Sequence, residues 1–272
     1  MSRAEEPRSR AKPELARCEV SAARLPGAPR SVGIIGCGLI ARPVIRELVR
    51  GQLDGWKLDA VLARSPRHVE GVDVLAAADQ FFAHSFDLII DAAGPEALRS
   101  HGRVALTAAE LWSVSGTALA NETLRLDLES VGAKHGHRLR LLPGAISGLD
   151  GVSTMSIAHD GRVSATIDLV PSGDTTEVVF VGSAAEAADL FPHHVNVVVA
   201  TALAGVGLER TEVTVRQPAA GRPHTLSIEA ISRDGSVTAT TQPVVSRSDG
   251  VHIVAASLIA ALRRESQVIW VG

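Results

Sequence analysis

"SVGIIGCGLIARPVIREL", residues 31–48, changes character twice in a short span. An apolar run, Val32 to Ile35, stops at Gly36; Gly38 follows, and Ala41 opens a helical pattern predicted over 39–51. The turn therefore reads G-x-G-x-x-A. In a strand–turn–helix unit the first glycine permits the tight turn and the second lets backbone approach a pyrophosphate. The third small residue lets the helix pack on the strand. Phosphates would then lie against the unpaired N–H groups and positive dipole end of the helix. Gly36, Gly38, Leu39, Ile40 and Ala41 are thus the candidate cofactor-binding turn. Glycines also mark ordinary turns; the strand before and the helix after favour the nucleotide reading. Pro43 falls in the first helical turn, where it costs little.

The rest of the chain sets bounds. With 272 residues there is length for about two domains. A 46% hydrophobic, 21% charged chain with 24 Gly has the profile of a globular α/β protein. No run of 18 apolar residues suggests a membrane span, and a formal net charge of -3 gives no cue for a nucleic-acid partner. The two cysteines, Cys18 and Cys37, make neither a disulfide framework nor a metal-ligand spacing, which fits a reducing, cytoplasmic setting. Residues 1–30, rich in Arg, Ala, Pro and Glu, read as a mobile tail; Glu5, Glu6, Glu14 and Glu19 argue against a transit peptide.

After the turn, Leu58 to Ala63 forms a second parallel strand ending in Arg64, Ser65, Pro66 and Arg67. An acidic residue there would suit the ribose 2′-OH of NAD, whereas arginine suits a 2′-phosphate. Arg64 and Ser65 are therefore candidate NADP contacts, with a solvated loop as the plain alternative. Apolar strands follow at "FDLIIDAAG" (86–94), "LWSVSGTALA" (111–120) and the start of "HRLRLLPGAISGLDGV" (137–152). Beyond that the texture changes to alternating, β-branched segments around the helical "SAAEAADLFPHHVNVVVATALAGVG". The expected fold class is α/β: a Rossmann-type doubly wound parallel sheet over 31–144 and an α+β substrate domain over 145–248. A helix and short strand, 249–272, would return to the first sheet. The chain has no H-E-x-x-H, G-x-S-x-G or P-loop motif, and adjacent His193 and His194 would diverge on a helix. No metal site is expected.

"GIIGCGLIA", "SVSGTALAN", "LPGAISGLDGV", "GSAAEAADLFPHHVNVVVATALAGVGLERTEV" and "RPHTLSIEA", in that order, resemble the L-aspartate dehydrogenase family from about residue 31 onward. The resemblance implies NAD- or NADP-dependent oxidation of L-aspartate to iminoaspartate, or reductive amination of oxaloacetate with ammonia. It also implies a homodimer formed through the second sheet. The family's catalytic histidine falls on His224, and two of its cofactor contacts fall on Ala145 and Asn196. Histidine titrates near neutrality and suits proton transfer beside a departing hydride. Ala145 would let the nicotinamide ring approach backbone, and Asn196 offers both a donor and an acceptor.

The chain departs from the family pattern on the substrate side. His193 and His194 stand where a Lys-Asn pair is usual, and Arg222 stands two residues before His224 in place of asparagine. The basic segment after the "GLDG" turn is shortened to "VPSGDTTEVVFVG". A dicarboxylate needs cationic partners, and Arg222 is either one of these or a plain surface arginine. A dehydrogenase of another small amino or hydroxy acid, and a homologue that binds NAD(P) without turnover, remain the alternatives.

Overall fold

Val32, Ile34 and Ile35 lose nearly all contact with water, as a strand covered on both faces must. The computed structural model describes residues 28–244 and 251–269. Most of the expected tail, including Cys18, and the last three residues lie outside that range. Arg30 is not tail. It begins β1, its N–H bonded to Gly55 O at 2.8 Å and its guanidinium 3.6 Å from the Trp56 ring.

Strands β1 (Arg30–Ile35), β2 (Trp56–Leu62), β5 (Leu88–Asp91), β6 (Glu110–Ser113) and β7 (Leu139–Leu141) form an all-parallel sheet in the order β2-β1-β5-β6-β7. The connections reverse direction between β1 and β5, and open α/β sheets bind ligands outside the carboxyl ends of strands at such a switch point. Helix α1 (Ala41–Val49) buries Ala41, Val44, Ile45 and Leu48, one face at helical spacing. It is shorter than the predicted 39–51, because Leu39 and Ile40 still belong to the turn. Two elements escaped the sequence reading. A hairpin, β3 (Arg67–Val69) and β4 (Val72–Val74), turns through Glu70 and Gly71 at φ 52° and 84°, followed by the short α2 (Ala78–Phe82). Helices α3 (Pro95–Ala108) and α4 (Glu122–His135) cover the other face of the sheet, with a 3-10 turn, Gly116–Ala120, after β6.

Past the Pro143–Gly144 turn, with Gly144 at φ 65°, comes α5 (Leu149–Met155) and a second sheet. Its strands are β8 (Arg162–Asp168), β9 (Glu177–Ser183), β10 (Thr211–Gln217), β11 (Leu226–Ser232) and β12 (Gly235–Thr241), in the order β12-β11-β8-β10-β9. The pair β8–β10 is parallel and the other neighbours are antiparallel. The long helical segment divides into α6 (Ala184–Leu190) and α7 (Asn196–Ala204), because Pro192 cannot continue the hydrogen-bond ladder. Helices α5 to α7 pack on one sheet face, where Val163, Ala165, Ile167, Val213, Val215, Leu226 and Ile228 are buried. Across the opposite face the register aligns Thr240, Ser227, Thr166, Thr214 and Val181, the polar side of an alternating sheet.

Helix α8 (Ile253–Glu265) returns to the first sheet as expected, burying Ala255, Leu258, Ile259, Ala261 and Leu262 beside α1. Trp56 donates its indole N–H to Leu262 O at 3.0 Å, and Arg263 meets Glu47 at 3.2 Å. The short strand predicted after α8 does not appear in the described residues. Val268 and Ile269 are exposed and pair with no strand, and 270–272 lie outside the described range. No helix of the described residues is long and apolar enough to cross a membrane.

Candidate functional site

The two candidate glycines differ in what surrounds them. Gly36 sits at φ 113°, and a Cβ there would lie 2.8 Å from the carbonyl oxygen of Ala92. Its glycine is demanded by the fold, because the turns after β1 and β5 touch at this point. Gly38 has nothing within 4 Å of the position its Cβ would take. No protein atom requires glycine there, so the open space fits a ligand approaching the backbone. Helix α1 starts beside it with no side-chain cap and no acidic residue in its first turn, which leaves N–H groups and the positive dipole end for an anion. Arg42 lies across the turn, its Nε donating to Cys37 O at 3.2 Å. Cys37 itself is buried. These features together fit a dinucleotide pyrophosphate.

Leu39 is 71% exposed at the tip of the turn, while Ile40 packs against the core. Arg64 and Ser65 are exposed just past β2, beside the turn, since Gly36 N donates to Leu62 O at 2.8 Å. Arg67 donates to Ser65 Oγ at 2.6 Å. At the end of β5, Asp91 is almost fully buried and accepts from Ser113 Oγ at 2.7 Å and Ala93 N at 3.1 Å. Burial pushes its carboxyl above the usual carboxylate range, against those hydrogen bonds. Its position shapes the Ala92–Gly94 turn on which Gly36 rests. The sequence reading passed over Asp91, although a lone acid closing a four-residue apolar strand was the available signal.

Asn196 caps nothing in its own helix. Its Oδ1 accepts from Thr117 N at 2.9 Å and Thr117 Oγ at 2.5 Å, which fills both lone pairs and leaves only the amide N–H groups for a ligand. A Cβ on Gly116 would come within 2.6 Å of Asn196 O. The first turn of α7 therefore sits directly on the 3-10 turn that follows β6, at the ligand-binding end of the first sheet. Ala145 is half-buried just past β7 at the same end.

The remaining candidates follow from topology. Only residues 205–210 join α7 to β10, so α7 starts at the carboxyl end of β10, which is also the carboxyl end of its parallel neighbour β8. The antiparallel β11 begins there, immediately after His224. His193, His194, Asn196 and His224 thus share one end of the second sheet, and Asn196 joins that end to the first sheet. His224 is half-buried, with Nδ1 3.4 Å from Leu169 O. A carbonyl can only accept, so this contact puts the proton on Nδ1 and leaves Nε2 as a base. His193 and His194 are exposed in the turn before α7. Asp168, which the sequence reading missed, is only 3% exposed and serves two partners. It accepts from Arg216 Nε at 2.8 Å and from Thr225 N at 2.9 Å. Among the described residues no cluster of His, Cys, Asp or Glu could hold a metal ion.

Residues 149–265 match a family described as aspartate dehydrogenase, C-terminal, and residues 36–142 match the homoserine dehydrogenase NAD binding domain. L-aspartate dehydrogenase 1 of Bordetella pertussis is 30% identical over 246 residues, covering 86% of this chain and 95% of that protein. The L-aspartate dehydrogenase of Ruegeria pomeroyi is 32% identical over 257 residues, covering 88% and 93%. Among solved structures, the aspartate dehydrogenase of Thermotoga maritima aligns with a TM-score of 0.75 at 25% identity, over 89% of this chain and 99% of that one.

Proposed function

The chain belongs to the aspartate dehydrogenase family, and from that premise we propose that it oxidises L-aspartate to iminoaspartate, or runs the reductive amination of oxaloacetate in reverse. The observation that supports this reading is the docking of α7, through Asn196, on the 3-10 turn after β6 at the ligand-binding end of the first sheet. A nicotinamide dinucleotide, when bound, supplies the acceptor for the hydride that leaves Cα. Gly36, Gly38 and the start of α1 would hold its pyrophosphate. Asn196 would offer its amide N–H groups, and Ala145 a small surface against the ring. His224, with Nδ1 on the Leu169 carbonyl, takes a proton from the substrate ammonium at Nε2. The amine lone pair then forms the C=N bond as hydride departs. Water hydrolyses the product to oxaloacetate and ammonia.

Exposed Arg64 and Ser65, with no carboxylate at the end of β2, support use of NADP at least comparable with NAD. A second copy of the chain packed on the polar face of the second sheet, beside the exposed Val179 and Val181, is the assembly this reading carries. Sedimentation of the purified protein tests it, and a monomer at all concentrations removes it. The reaction itself is tested by mixing the protein with L-aspartate and either dinucleotide and following the absorbance of reduced nicotinamide. Absence of reduction with aspartate, together with reduction by another amino or hydroxy acid, moves the assignment to that substrate. Dinucleotide binding without turnover of any acid supports a non-catalytic role.

A further inference from the structure

Thr117, in the 3-10 turn after β6, carries a hydroxyl that the packing of that turn does not require. The residue is only 3% exposed, and its backbone N–H and its Oγ both donate to one atom, Oδ1 of Asn196. The N–H alone would give that carbonyl a partner. The second donor does something further. An amide oxygen whose two lone pairs are both taken by one residue has a single orientation, and its NH2 group is turned away from that residue. Among the described residues Nδ2 of Asn196 makes no hydrogen bond, and it is not sealed from solvent. The seat is braced from below. Ser115 N donates to Ser113 Oγ at 3.0 Å, and that hydroxyl donates to the buried Asp91 carboxylate at 2.7 Å. Asp91 also accepts from Ala93 N at 3.1 Å, so the turns that follow β5 and β6 lean on one side chain.

We infer that Thr117 is a positioning residue for the cofactor: its hydroxyl holds the Asn196 amide so that only N–H groups face the nicotinamide half of the dinucleotide, which presents an acceptor oxygen there. The sheet order says which half. With the pyrophosphate at the turn after β1, the β2 side, where Arg64 stands, takes the adenine ribose. The β5–β6 side, where Thr117 and Asn196 meet, takes the nicotinamide riboside. A loosely held amide could turn and offer its oxygen instead, which would repel the same acceptor. This inference rests on the dehydrogenase reading for the identity of the ligand, and it is read by binding rather than by turnover.

The test is calorimetric titration with each reduced dinucleotide and with the matching ADP-ribose fragment, which lacks nicotinamide, for wild type, Thr117→Val, Thr117→Ser and Asn196→Asp. Valine keeps the shape of threonine and leaves Asn196 Oδ1 on the backbone N–H, so no buried group is orphaned. Its dinucleotide Kd should rise about three- to tenfold while the fragment Kd stays unchanged, and serine should restore wild-type binding to within about twofold. Aspartate at 196 still accepts both Thr117 donors and, as the first residue of α7, meets the positive end of the helix. Its melting temperature should therefore be held or raised, yet it sets an oxygen against an oxygen and should bind the dinucleotide about thirtyfold or more weaker. Wild-type affinity in either Thr117→Val or Asn196→Asp overturns the inference, as does a loss that the fragment shares. A protein that shows the expected pattern but never reduces a dinucleotide with aspartate fails the proposed reaction and leaves the role of Thr117 standing.

Discussion

Gly36 and Gly38 stand one residue apart and answer to different demands, so replacing each separates a folding defect from a binding defect. In Gly36→Ala the new methyl would lie 2.8, 2.9 and 3.0 Å from the O and C of Ala92 and the N of Ala93, all backbone atoms that cannot rotate aside. The residue would also hold φ 113°, which L side chains rarely adopt. Overpacking of this kind costs about 1–3 kcal/mol and the backbone strain about as much again. At roughly 2–4 °C per kcal/mol for a chain of this size, the melting temperature should fall by roughly 5–20 °C. Gly38→Val meets no atom within 4 Å, so its melting temperature should stay within about 2 °C of wild type. Its branched side chain would nevertheless fill the space through which the backbone reaches the pyrophosphate. Dinucleotide affinity should drop more than about 100-fold, which is roughly 2.8 kcal/mol. Thermal melts by circular dichroism and fluorescence titration with both reduced dinucleotides measure the two effects. A Gly38→Val protein that binds both cofactors like wild type would show the crevice to be elsewhere.

Four further outcomes are expected. His224→Ala should lower kcat by about 10²–10⁴-fold with dinucleotide affinity retained, and the acidic limb of the kcat/KM profile for aspartate oxidation, along which activity rises as the essential base loses its proton, should vanish or move; near-normal turnover would exclude proton transfer by this residue. Arg64→Asp should shift the ratio of NADP to NAD affinity by about tenfold or more toward NAD, and a wild type strongly selective for NAD would already contradict the premise. Asn196→Ala leaves the buried Thr117 N–H and hydroxyl without their acceptor, so it should cost about 1–3 kcal/mol of stability as well as activity; loss of activity alone would refute the docking role. Burial holds the His252 imidazole below its ordinary pKa, and its Nδ1 accepts from Val254 N at 3.2 Å to cap α8. That stability is present above the unfolded value of about 6.5 and is lost as pH falls from there toward the folded value. His252→Asn keeps a cap without the titration, so its urea midpoint should decline less between pH 7 and 5 than that of wild type.

The glycine turn was readable because everything that defines it lies within a dozen consecutive residues, and the strand runs of the second sheet were readable by alternation. What escaped depends on neighbours distant in the chain. Asp168 and Arg216 are 48 residues apart and become partners only through the β8–β10 register. Asn196 reads as a helix-terminal amide until α7 is seen to rest on Thr117, 79 residues earlier. The hairpin at Glu70–Gly71 lacks the Asn-Gly or Asp-Gly signature of a two-residue turn, and its strands have only three residues each. Pro192 did signal the break between α6 and α7, but the apolar run around it outweighed the signal in a reading by periodicity.

The return of α8 to α1 places the whole second sheet inside the sequence of the first. Synthesis proceeds from the amino end, and domains usually fold in that order as they leave the ribosome. Here the first sheet cannot close its core until Ala255 to Leu262 have emerged. The second sheet, complete once β12 has appeared at Thr241, has all its strands available earlier. The nascent chain must therefore carry an unfinished apolar face, the one that receives α8, through the production of more than a hundred residues. The part of the protein made first is the part finished last.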